Sequence, residues 1–333
     1  MSDGYILEVG NLKKYFTIRS GLFSSILFNR EPTYIRAVDG IDLKIKRGEI
    51  FAIAGESGCG KTTIARLIMG LEVLTDGEII FDGENISDLT DSEFRPYRRR
   101  IQMIFQDPYG SLSNNMTVGD IIAEPLRIHG ICESAAEEDE LIVQTLEDVG
   151  MRPAEDFIDR LPHELSGGQR QRVAVGAALV LQPELLIADE PVSMLDVSMR
   201  GQILKLLLDL REKKGISIVI ITHNLAVARQ ISDRIAIAYL GKVMEIGDTK
   251  LIIDQPMHAY TKALLSVVPV PELDVSRDRI LLTGETPNPI NIPEGCRFHT
   301  RCPFAENRCS EAEPELVEQS DGRLVACCQC EDD

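Results

Sequence analysis

"EIFAIAGESGCGKTTIARLIMGL", residues 49–71, decides the fold. It opens on "EIFAIAG", the continuous apolar run of a strand buried on both faces, and closes on "TTIARLIMGL", which reads as a helix. Between them Gly55, Gly60, Lys61 and Thr62 have the spacing of a P-loop, in the strand-then-helix context that the motif requires. Glycines there let successive backbone N–H groups turn inward on phosphate oxygens, and the helix N-terminus adds its dipole. Lys61 is expected to bridge the β and γ phosphates of a nucleotide and Thr62 to hold magnesium. Ser57, Gly58, Cys59 and Thr63 complete the predicted cradle. A plain glycine turn before a helix is the alternative, and the flanking elements weigh against it.

Working outward, "YILEVGNL" (5–12) and "IDLKI" (41–45) alternate as half-exposed strands do. "ELLIAD" (184–189), "ISIVIIT" (216–222) and "DRIAIAYLG" (233–241) resume the strand signal, so the core reads as α/β. Residues 19–36 read as a loop insertion, and 112–180 as a helix-rich insert whose acidic "SAAEEDELIVQTLEDVG" (134–150) is an amphipathic surface helix. Prolines at 269, 271, 287, 289 and 293 mark the remainder as a loop-rich appended module.

Composition narrows the function classes. The 333 residues carry 35 Lys and Arg against 53 Asp and Glu, a formal net charge of −18, which is a poor long-range field for binding nucleic acid. The basic run "RPYRRR" (95–100) reads first as a solvated face. "MSDGYILEVG" lacks the regions of a signal peptide, and the longest apolar run, "VAVGAALVL" (173–181), is far short of the roughly 18 residues that span a bilayer. A cytosolic placement is expected, where clustered cysteines favour metal or redox chemistry over disulfides.

Two further stretches sharpen the nucleotide reading. "LLIADE" is an apolar strand ending in Asp189 and Glu190: the first carboxylate can reach magnesium and the second can polarise an attacking water. "LSGGQRQR" (165–172) is another anion-binding helix start, with Ser166, Gly167, Gly168 and Gln169. One P-loop already covers the phosphates, so this second start is expected to face the γ-phosphate of a nucleotide held by another subunit. With these motifs residues 1–270 resemble the ATP-binding cassette (ABC) ATPases, a P-loop NTPase fold with an inserted helical subdomain. The resemblance implies ATP and Mg2+ as cofactors and ATP hydrolysis as the activity.

Carried over residue by residue, the resemblance makes Gln106 of "IFQDPYGSL" the glutamine that touches magnesium and water. His223 of "IITHN" becomes the switch histidine at the γ-phosphate, and Asp196 of "SMLD" the carboxylate that crosses the dimer interface. Phe16, with Tyr15 as runner-up, becomes the aromatic that stacks on adenine. Met194 and Asn224 depart from the family's usual small residue and aspartate. Glu190, His223 and Gln106 are thus the catalytic set; the cassette is assigned 1–268 and the extension 269–333.

The tail narrows the subfamily. "AVDGIDL", "GESGCGKTT", "IQMIFQDPYGSL" and above all "GETPNPINIPEGCRFHTRCPFAENRC" (284–309) resemble the ATPase subunits of oligopeptide and dipeptide importers. The resemblance implies a different second ATPase subunit, two transmembrane permease subunits and an extracytoplasmic solute-binding protein, with the chain peripheral on the cytoplasmic face of the membrane. "LSNNMTV" departs from the Asn-Pro-Arg common there, and related importers move oligosaccharides or nickel. A soluble cassette ATPase of translation or repair would carry two cassettes or a coiled-coil insert, and a P-loop kinase would lack "LSGGQ". Cys296, Cys302, Cys309 and Cys327 are separated by five, six and seventeen residues, with Cys328 and Cys330 spare. Zinc would favour short Cys-x2-Cys knuckles, which are read as absent from the tail, whereas an iron–sulfur cluster accepts irregular spacing. The resemblance implies a [4Fe–4S] cluster on the first four; zinc or no metal is the alternative.

Overall fold

The computed structural model describes residues 4–18, 33–107, 110, 112–267, 280, 282 and 284–330. It divides into two compact units, one of residues 1–46, 51–88 and 222–333, the other of 47–50 and 89–221.

In the first unit, strands Tyr5–Ile18 and Thr33–Lys46 form an antiparallel pair that Asp76–Phe81 and Glu84–Asn85 extend into a four-stranded sheet. The second long strand alternates over its last six residues, with Ile41, Leu43 and Ile45 buried and Asp42, Lys44 and Lys46 exposed. Thr33–Arg36, read from sequence as loop, begin the second strand; the rest of the expected insertion, 19–32, lies outside the described residues. Its alternation is weakest there, because Thr33 and Tyr34 are exposed where the pair runs past the core.

A second sheet in this unit sets Ile50–Ala54 parallel to Arg234–Tyr239, which continues antiparallel to Lys242–Asp248 and then to two short strands of the tail, Leu324–Val325 and Val317–Glu318. Ile50–Ala54 is buried throughout, as its unbroken apolar sequence requires. The tail is therefore not a free module: it adds two strands to the cassette's sheet. It packs Phe298, wholly buried, against Tyr239, Tyr260 and His258.

Three arginines of the tail are pinned by carboxylates of the cassette. Arg297 reaches Asp39, Arg301 pairs with Glu56 at 2.9 Å, and Arg323 pairs with the fully buried Glu245 at 3.1 Å. A segment too short to bury its own core is held by ion pairs, and those of Arg297 and Arg323 are buried and costly to break one side at a time.

The second unit carries three parallel strands in the order Ser217–Thr222, Leu185–Asp189, Ile101–Ile104. It also carries the helices Val118–His129, Ala135–Asp148, Glu155–Ile158 and Gly167–Leu179. The acidic helix expected at 134–150 is Ala135–Asp148, capped by Ser134 and burying Ile142, Thr145 and Leu146. Among the described residues no helix is long and apolar enough to cross a membrane.

Candidate functional site

The loop 55–60 joins the buried strand to helix Lys61–Ile68. Gly60, the residue before the helix, has φ of 101°, and a Cβ there would meet the Ala37 carbonyl oxygen at 2.2 Å. At Gly55 a Cβ would meet the Ala238 carbonyl oxygen at 2.1 Å. Both positions therefore demand glycine on two counts, backbone conformation and close approach. Lys61 is buried and its Nζ donates to the carbonyl oxygens of Gly55 at 2.9 Å and Glu56 at 2.8 Å. The ammonium is thus curled back onto its own loop. Ser57, Gly58 and Thr62 are exposed, Thr63 is half-buried, and Cys59 is buried, which pushes its thiol pKa up.

In the second unit Asp189 ends its strand almost fully buried, and Glu190 follows at φ of 48°, a left-handed conformation that bulky residues rarely adopt. The turn is held by the Glu190 carbonyl, which accepts from Ser193 N–H at 3.1 Å and Ser193 Oγ at 3.0 Å. Glu190 Oε2 accepts from Gln106 Nε2 at 3.1 Å. Gln106 and Glu190, 84 residues apart, are thus brought together. Such an arrangement can hold and polarise one water.

Ser166 caps helix Gly167–Leu179: its Oγ accepts from Gln169 N–H and the Gln169 side chain accepts from Ser166 N–H, a capping box. A Cβ on Gly168 would meet the Met199 methyl at 1.9 Å, so the end of that flexible side chain lies directly against this glycine. Asp196 caps the next helix, Val197–Lys214, accepting from Met199 N–H at 3.0 Å and Ser198 Oγ at 2.6 Å. These hydrogen bonds, Ser198's first, hold its carboxyl below the usual range. Met194 beside it is exposed. In the first unit His223 is exposed, and Asn224 caps helix Leu225–Ile231, so the departure from aspartate keeps the capping oxygen. Phe16 is half-buried with Lys14 Nζ 4.9 Å from its ring centre. Tyr15 is committed elsewhere: its hydroxyl binds Asp39 and its pKa is pushed up to about 12 by burial and that carboxylate.

A family described as "ABC transporter" matches residues 38–193, and one described as "Oligopeptide/dipeptide transporter, C-terminal region" matches 244–309. The oligopeptide transport ATP-binding protein AppF of Bacillus subtilis (strain 168) is 46% identical across 97% of this chain and 96% of its own. The chain belongs to the ATP-binding cassette family. The dipeptide transport ATP-binding protein DppF of Haemophilus influenzae is 44% identical, again covering 97% of this chain and 96% of its own. Among solved structures, the dimeric post-hydrolysis state of the cassette MJ0796 bound to ADP and Pi superposes with a TM-score of 0.63 at 31% identity. It spans 73% of this chain and 98% of that one.

The cassette's tail departs from the sequence reading. Burial, and then the neighbouring Cys327, Cys309 and Cys302, push the Cys296 thiol up to about 11. The four thiols thus share one neighbourhood. Cys330, set aside as spare, joins them: its thiol shares a hydrogen bond with that of Cys327, with which it forms the Cys-x2-Cys pair that the sequence reading took to be absent, and burial and Cys327 push its thiol to about 11. Among the described residues, however, no group of three or more His, Cys, Asp or Glu side chains is arranged to hold a metal ion. As the chain stands, the thiols are neighbours without forming a cage. Sequence reasoning also missed Glu56, Tyr260, Thr286 and Arg301. Glu56 is the variable position of the loop motif, and no spacing connects it to the other three.

Proposed function

We propose that this cassette is the ATP-hydrolysing subunit of a peptide importer, working on the cytoplasmic face of the membrane without crossing it. The observation that carries the reading is the full-length likeness to oligopeptide and dipeptide transport ATP-binding proteins, tail included. In this reading residues 55–63 cradle the phosphates of ATP, Thr62, Gln106 and Asp189 face Mg2+, Glu190 polarises the attacking water and His223 contacts the γ-phosphate. Phe16 stacks on adenine. Ser166, Gly167, Gly168, Gln169 and Asp196 face the nucleotide of a second cassette, of different sequence, arranged head to tail. Magnesium supplies charge neutralisation at the phosphates; the chain's own residues bind, orient and activate water. The cassette runs to about residue 268 and the rest is its extension.

Two permease subunits and an extracytoplasmic solute-binding protein complete the expected assembly. Purification from membranes in mild detergent tests this: two polytopic membrane proteins should accompany the chain, and peptide-loaded binding protein should raise its ATP turnover. Recovery of the chain alone, with turnover indifferent to peptides, refutes it. We also propose a [4Fe–4S] cluster on Cys296, Cys302, Cys309 and Cys327, supported by the crowding of the thiols in one neighbourhood. It requires them to draw together around the metal, which would also deprotonate them. Anaerobic protein with about four irons per chain supports it; one zinc, or no metal, refutes it.

A further inference from the structure

Glu56 stands at a junction. Its carbonyl holds Lys61 Nζ at 2.8 Å and its N–H donates to Tyr260 Oη at 2.9 Å. Its carboxylate is gripped by the tail: Arg301 Nη1 donates to Oε2 at 2.9 Å and Nη2 to Oε1 at 3.3 Å, a forked pairing, while Thr286 Oγ1 donates to Oε2 at 2.6 Å. Arg301 is in turn fixed by Tyr239, whose hydroxyl accepts from Nη1 at 3.3 Å, and Tyr239 packs on Tyr260 with ring centres 4.6 Å apart. The grip closes on itself, since both aromatics also touch Phe298 of the tail.

A carboxylate in the second position of a phosphate loop is an electrostatic liability, because an incoming triphosphate carries like charge. Only an opposite charge held beside it removes that repulsion. We infer that Arg301 and Thr286 are positioning residues for the nucleotide loop: by neutralising and orienting Glu56 they set the loop's affinity for phosphate, so the peptide-transporter tail acts directly on ATP binding. The inference rests on reading 55–63 as the phosphate cradle. A purely structural tail would steady the fold and leave the charge at the loop unimportant.

Equilibrium binding of ATP and ADP to the full chain separates the two. Arg301→Ala should weaken ATP binding about three- to tenfold, the size expected of one uncompensated charge beside a phosphate site. ADP, with one charge fewer, should lose less, and the gap should shrink at high salt. Glu56→Gln in the same chain should restore affinity, and Arg301→Lys should keep most of it. In the membrane assembly KM for ATP should rise while kcat holds. Equal losses for ATP and ADP that Glu56→Gln does not relieve, or no loss, overturn the proposal. Should Arg301→Ala fail to fold, Glu56→Gln alone decides: it leaves Arg301 uncompensated and should tighten ATP binding severalfold, and unchanged affinity overturns the idea. Lys61→Ala, run alongside, reports on the cradle itself: if ATP affinity survives it, the loop reading fails and not merely the role of Arg301.

Discussion

The glycine loop at 55–60, our proposed phosphate cradle, and the cysteine-rich tail are both short, irregular and glycine- or proline-marked, yet they are held by opposite means. The loop is fixed by its own backbone: glycines that nothing else can replace, and a lysine folded onto carbonyls within six residues of it. The tail is fixed from outside, by Arg297, Arg301 and Arg323 paired with carboxylates as many as 258 residues away in sequence. The contrast teaches that a chemical site can be written locally while the module that steadies it depends on contacts that only folding makes.

On that division, changes to the polar side chains of the chemical site should cost activity and leave stability, and changes at Arg297 and Arg323, the pins that do not touch the loop, should do the reverse. The largest expected effect is Glu190→Gln, which removes the proposed base but keeps the cradle: ATP turnover in the membrane assembly should fall about 10²–10⁴-fold with nucleotide binding retained. Phosphate release paired with binding measurements checks it, and wild-type turnover would break the assignment. Next is Arg323→Met, which strands Glu245 fully buried without its cation. It should cost about 3–5 kcal/mol of stability, read by thermal or denaturant unfolding, with the affinity for ATP near that of wild type. A large loss of ATP affinity would erase the comparison.

A smaller effect is pH-dependent. His258 is buried between Tyr260, whose N–H its Nδ1 accepts at 3.0 Å, and Phe298, with Lys262 nearby. Burial, and then Lys262, lower its pKa from 6.5 to about 4. A folded histidine this reluctant to protonate contributes stability that is present above pH 6.5 and lost as pH falls from there toward 4, because only the unfolded chain takes up the proton. Across that window the loss should reach about 3 kcal/mol, and His258→Gln should flatten it; an unchanged acid limb places the sensitivity elsewhere. The smallest expected effect is Gly58→Ala. Its φ is 81° but the space beside it is open, so the substitution should cost about 1 kcal/mol of strain and no collision. Gly60→Ala, which drives a Cβ into the Ala37 carbonyl, should cost clearly more.

The sequence by itself determined the strand, loop and helix of residues 49–71, the acidic strand end at Asp189 and Glu190, and the signature cap at Ser166. In each, the residues that cooperate are neighbours in the chain, and strand burial and helix capping impose a period or a fixed offset that can be read off. It mistook the start of strand Thr33–Lys46 for loop because that end runs beyond the core and loses its alternation. Cys330 falls outside the spacing of Cys296, Cys302, Cys309 and Cys327, and a turn that brings its N–H to the Cys327 carbonyl at 2.9 Å sets it beside that thiol. Only the tertiary structure decided that Gln106 meets Glu190, that the tail joins the cassette's sheet, and that Arg301 closes on Glu56 across 245 residues. An ion pair leaves no period in sequence: either partner reads as one more solvated charge until folding buries both and makes each the other's counter-ion.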